Sequence, residues 1–123
     1  MSNMGKSETS IQIQFIGRVR FLRPEYALLV FAIPNGGKRD LKTAMILKSM
    51  GVTAGVPDVC CAIARRGYHG LFLEFKKPGG RTTVEQERVI VKLIDEGYMV
   101  KVCDSVEEAF RIFEDYVDGK NSE

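Results

Sequence analysis

Apolar residues recur along this chain first at helical and then at strand spacing. Ile11, Phe15, Val19 and Leu22 fall at i, i+4, i+8 and i+11, the stripe of an amphipathic helix. Ser7 is placed to cap that helix and Pro24 to stop it, so a helix is expected from Ser7 to about Leu22. Residues 26–33 are nearly all apolar and rich in Val, Ile and Phe, which predicts a buried strand. Pro34-Asn35-Gly36-Gly37 is turn punctuation. Leu41, Ala44, Met45 and Leu47 then predict a short helix closed by Gly51. Residues 59–64 and 70–76 read as the two arms of a β-hairpin with its turn at 65–69. Thr82 with Glu85, or Thr83 with Gln86, forms a capping box for a helix that turns Val89, Ile90, Leu93 and Ile94 inward and ends at Gly97. Residues 98–103 alternate as a strand. Ser105 with Glu108 opens a last helix carrying Ala109, Phe110, Phe113, Tyr116 and Val117, ended by Gly119.

The order helix, strand, short helix, hairpin, helix, strand, helix predicts an α/β or α+β domain, a mixed four-stranded sheet flanked by helices. One domain over 8–118 is expected, with a disordered lead over 1–7 and a tail over 119–123.

Composition removes several classes. The longest apolar run is too short to cross a membrane as a helix, and residues 1–10 lack the apolar core of a secretion signal. Three cysteines, two of them adjacent (Cys60, Cys61, Cys103), fit neither a disulfide framework nor a zinc site and are expected as reduced, buried strand residues of a cytoplasmic protein. The net charge of +2 hides an asymmetry: residues 1–82 carry 13 Lys/Arg against 5 Asp/Glu, and residues 83–123 carry 5 against 11. A basic surface around an acidic pocket suits an anionic polymer, although charge blocks are also simply solvated faces.

The acids that matter fall in the basic part. Asp58 opens the hairpin after Gly55-Val56-Pro57, and Glu74-Phe75-Lys76 lies on its second arm. Alternation puts Glu74 and Lys76 on one face, with Leu71, Leu73 and Phe75 on the other. A register whose paired numbers sum to 134 would set Asp58 opposite Lys76 and Cys60 opposite Glu74, with the two carboxylates on a diagonal. An odd register would split them between faces. Two carboxylates, a strand carbonyl and water are the oxygen set of Mg²⁺ or Mn²⁺, and such an ion supports phosphodiester hydrolysis. Lys76 would orient the attacking water or stabilise developing negative charge. Gln86, at the start of the core face of its helix, could bond the water or the phosphate. Glu8 lies on the inward face of the first helical turn, where it could equally serve the helix dipole. The Asn35-Gly36-Gly37 turn with Lys38 and Arg39 could hold a phosphate or be a plain turn. Lys77 and Arg81, on the loop after the hairpin, join these as expected contacts to an anionic polymer. His69, in a turn, is a weak candidate base.

At these residues the chain resembles the VRR-NUC (virus-type replication-repair nuclease) family of the PD-(D/E)xK superfamily. The resemblance rests on Ile33-Pro34-Asn35-Gly36-Gly37, Gly51-Val52, Gly55-Val56-Pro57-Asp58, Glu74-Phe75-Lys76 and Thr83-Val84-Glu85-Gln86, in family order. It implies a restriction-endonuclease-like core with Mg²⁺ or Mn²⁺ on Asp58 and Glu74, a catalytic Lys76, a supporting Gln86 and a further acidic site residue at Glu8. It also implies a stand-alone phage or bacterial nuclease acting on branched DNA as a homodimer, with no organic cofactor and no membrane. A non-catalytic DNA-binding module of the same fold, or a nuclease active only within a phage replication complex, are the competing readings.

Overall fold

The computed structural model describes residues 7–34 and 40–119. Asn35, Lys38 and Arg39 lie outside the described residues, as do Met1 to Lys6 and the chain from Lys120 onward. Helix α1 spans Glu8–Leu22, with the Ser7 hydroxyl accepting from the Ser10 N–H. A 3-10 helix follows over Pro24–Leu29, then strand β1 (Val30–Ala32), helix α2 (Leu41–Ser49), strands β2 (Val59–Cys61) and β3 (Leu71–Phe75), helix α3 (Val84–Asp95), strand β4 (Met99–Cys103) and helix α4 (Val106–Val117).

The sheet runs β1-β2-β3-β4. The first two pairings are antiparallel, and β3 and β4 are parallel, joined through α3. The mixed four-stranded sheet with flanking helices is therefore as expected. Ile11, Phe15 and Val19 are buried from α1, Leu71, Leu73 and Phe75 from β3, and Phe113 and Tyr116 from α4. The Phe15 ring links the layers, 5.7 Å from Phe75 and 5.9 Å from Phe113 between centroids. Each such ring contributes on the order of 2 kcal/mol by burial, which makes β3 the strand that the core grips hardest.

Three expectations are corrected. Residues 26–33 are not one buried strand: only Val30–Ala32 pair, on the sheet edge, and Leu28 is 93% exposed. Pro24 fixes the φ of a helical first position, and the Tyr26 N–H closes back on the Arg23 carbonyl, so the run starts as a turn rather than extending. Tyr26 instead packs on Phe113 at 6.0 Å, with the Arg23 guanidinium over its ring at 5.4 Å. Second, the inward stripes are shorter than the periodicity suggested: Leu22 and Ile94, in the last turns of their helices, are 53% and 52% exposed. Third, the hairpin pairs in a different register, taken up below because it sets the site.

The short helix α2 forms as expected, with an N-cap on Asp40 that the spacing did not suggest. Its Leu41, Met45, Ile46 and Met50 remain exposed.

Candidate active site

The pairs in the hairpin are Val59↔Leu73, Cys60↔Phe72 and Cys61↔Leu71, which sum to 132. One step further along this ladder, Asp58 faces Glu74 directly rather than on a diagonal. The shift arises at the turn. Arg66 and Gly67 both have positive φ, 54° and 83°, the geometry of a tight two-residue hairpin turn closed by an Arg65↔Tyr68 bridge. Residues 62–64 separate that bridge from the ladder on one arm, but only 69–70 on the other. The extra residue moves every pair by one step. Parity is even, as the expected register also required, so both carboxylates share a face.

Asp58 is locked to β3 because its Oδ2 accepts from the Phe75 N–H at 2.8 Å. Glu74 is 2% exposed. Its Oε2 accepts from the Gln86 Nε2 at 2.9 Å and lies 3.5 Å from the Lys76 Nζ. Lys76 is itself buried, and its backbone N–H donates to the Cys103 carbonyl, so β4 holds the lysine past the end of the ladder. Burial and then the neighbouring Asp58 push the Glu74 carboxyl up to about 7, against the pull of Lys76. Asp58 is also raised, first by burial, with the Phe75 N–H opposing and Glu8 adding to the rise. Two acids crowd here with one lysine beside Glu74.

Gln86 belongs to both helix and site. Its Oε1 accepts from the Thr83 N–H at 2.8 Å, while the Thr83 hydroxyl accepts from the Gln86 N–H at 3.1 Å, a complete capping box in the second of the two possible registers. With the amide oxygen engaged at the cap, the NH₂ end is turned onto Glu74. Gln86 thus positions the carboxylate, and its second N–H remains for water or phosphate.

The structure brings Asp58, Glu74, Lys76 and Gln86 together. Glu8 is exposed on the first turn of α1, and its charge is felt by both acids. Lys77 and Arg81 are exposed on the loop that leaves the site. His69 stacks edge-on against Tyr98, 5.8 Å between centroids, on the far side of the hairpin turn. Cys60, Cys61 and Cys103 are free, and burial pushes each thiol up, so they stay protonated. One contributor escaped the sequence reading: the Phe75 N–H, a backbone donor that no side-chain pattern reveals.

Among the described residues no three His, Cys, Asp or Glu side chains are grouped to hold a metal ion. The carboxylate pair nonetheless fits a hard cation. Burial and mutual repulsion disfavour the charged forms of both acids, and a cation would offset that; Mg²⁺ accepts one or two carboxylates with backbone oxygen and water. Glu74 must ionise to bind it. Its raised pKa therefore predicts that apparent Mn²⁺ affinity, measured by calorimetry, climbs by up to about tenfold per pH unit below pH 7 and levels off above it. Equal affinities at pH 6 and pH 8 would contradict this placement.

The family model of the VRR-NUC domain matches residues 15–107, a span that includes Asp58, Glu74, Lys76 and Gln86 but not Glu8. A solved structure named a VRR_NUC domain protein is similar at 26% identity with a TM-score of 0.80, covering 94% of this chain and 91% of that one. No curated protein matches the chain.

Proposed function

The chain belongs to the VRR-NUC domain family, a nuclease-type domain, and on that premise we propose that it is a Mg²⁺- or Mn²⁺-dependent endonuclease that hydrolyses phosphodiester bonds in branched DNA, four-way junctions foremost. The observation that carries this reading is the buried Glu74, held at once by Gln86 and Lys76 and facing Asp58. Asp58, Glu74 and a strand carbonyl such as that of Phe75 would hold the ion. When bound, the ion lowers the pKa of a water and offsets charge on the scissile phosphate. The remaining work falls to the chain. Gln86 fixes the Glu74 oxygen. Asp58 is kept in place by the Phe75 N–H. Lys76 presents a buried ammonium that orients the attacking water and stabilises charge as the P–O bond breaks. Lys77 and Arg81, exposed beside the site, contact the DNA backbone, as Lys38 and Arg39 are proposed to do. Glu8 acts through its field on the two acids.

The homodimer is part of the same proposal. A four-way junction has two-fold symmetry, and two identical sites about a C₂ axis make paired cuts. Apolar surface outside the core supports association: Phe21 at 84%, Leu28 at 93% and Leu41 at 76% exposed. A cleavage panel of four-way junction, flap, duplex and single strand with Mg²⁺ or Mn²⁺ is expected to show paired, symmetric cuts in the junction. Sedimentation at micromolar protein should give a dimer. Junction binding without cutting under every metal condition would favour a binding module of the same fold, and a monomer that still cuts symmetrically would overturn the dimer.

A further inference from the structure

Gly55 lies three residues before Asp58, in the loop that delivers Asp58 to the sheet. A Cβ on this residue would sit 2.5 Å from the Glu85 carbonyl oxygen, 2.6 Å from its carbonyl carbon and 3.0 Å from the Gln86 nitrogen, at φ +92°. These are backbone atoms of the first turn of α3. They cannot rotate away as a side chain would. The bare glycine face is thus seated on the peptide that leads into Gln86.

We propose that Gly55 is a positioning residue for the site: the lack of a side chain at residue 55 lets the Asp58-bearing loop rest on the Glu85–Gln86 peptide, and that contact sets where the Gln86 amide meets Glu74. The two ends of the loop differ in how far they can yield. Pro57 is buried and Asp58 is tied to the Phe75 N–H, so the loop is pinned to the sheet just beyond Gly55. The first turn of α3 follows an exposed stretch, Lys77 to Gly79, and none of its residues is buried. A Cβ at residue 55 therefore displaces the helix end, and with it Gln86, rather than Asp58. The hydrogen bond from Gln86 to Glu74, 2.9 Å in the native arrangement, lengthens or is lost.

The inference deepens the nuclease reading and rests on it for its catalytic consequence. Gly51 supplies the control. It has a φ of +103° and open space where a Cβ would go, so Gly51→Ala carries the backbone strain without the collision. The measurement is the side-chain NH₂ pair of Gln86 in a ¹H–¹⁵N correlation spectrum, assigned by its disappearance in Gln86→Ala, without metal or DNA. Gly51→Ala is expected to leave the pair in place. Gly55→Ala should move it and speed its hydrogen exchange, and should weaken Mn²⁺ affinity by about tenfold or more and lower kcat with KM for DNA within about threefold. Gly55→Asn lowers the strain of positive φ while keeping the Cβ, and serves if the alanine variant unfolds. An unmoved NH₂ pair in either folded Gly55 variant overturns the proposal. So does failure of both to fold while Gly51→Ala folds, because the contact is then a requirement of the fold and not of the site. A native protein that never cuts DNA sinks the nuclease reading and leaves the amide result standing.

Discussion

Lys76→Ala is expected to reduce junction cleavage by about a thousandfold or more in kcat, with DNA affinity within about tenfold of the native protein. The separation follows from where the lysine sits. At 7% exposed it is no part of the outer basic surface, so its loss removes little of the charge that draws DNA. Its ammonium lies 3.5 Å from Glu74, where it acts on the reacting groups. The substitution also takes away the charge that opposes protonation of Glu74, which leaves that carboxyl more protonated and less able to hold a cation. Mn²⁺ binding near neutral pH should therefore weaken as well. Cleavage at the native rate by Lys76→Ala would remove the lysine from the mechanism.

Glu74→Gln is expected to act in opposite directions on activity and stability. Cleavage should fall below detection, because one of two carboxylates is gone. The metal-free protein should nevertheless melt higher at pH 8. An acid raised from 4.5 to about 7 in the folded state adds stability in its protonated form. That contribution is fully present below pH 4.5 and is lost as pH rises through about 7. At pH 8 the native Glu74 is charged, buried and facing Asp58, a penalty on the order of 3 kcal/mol. Removing it should raise Tm by roughly 10 °C, and the gap between variant and native protein should close as pH falls toward 5. A Tm that is unchanged or lower at pH 8 would mean that Lys76 already neutralises the pair.

Legibility of the fold in the sequence tracked how local each signal is. The caps at Ser7, Thr83 and Ser105 were readable because each involves residues a few positions apart. Residues 26–33 misled because a continuous apolar run carries no period, and Pro24, which decides its conformation, stands outside it. At the site, the shared face of Asp58 and Glu74 followed from the two-residue repeat of a strand. Their direct opposition did not, since it depends on one extra residue between Cys61 and the Arg65–Tyr68 turn. Gln86 was visible as a polar residue opening an apolar helix face. The contact of Gly55 with the Glu85–Gln86 peptide spans thirty positions of chain and leaves no local mark.

The capping box of α3 also limits which sequences can descend from this one. Glutamate closes a capping box as well as glutamine does, and a single base change interconverts their codons. For the helix alone, the two would drift freely at residue 86. Here the glutamine's NH₂ end rests on Glu74, and glutamate would bring a third negative charge to a carboxylate already raised to about 7. The neutral path open at an ordinary helix start is closed at this one, so the side chain that begins the helix cannot diversify apart from the chemistry it serves.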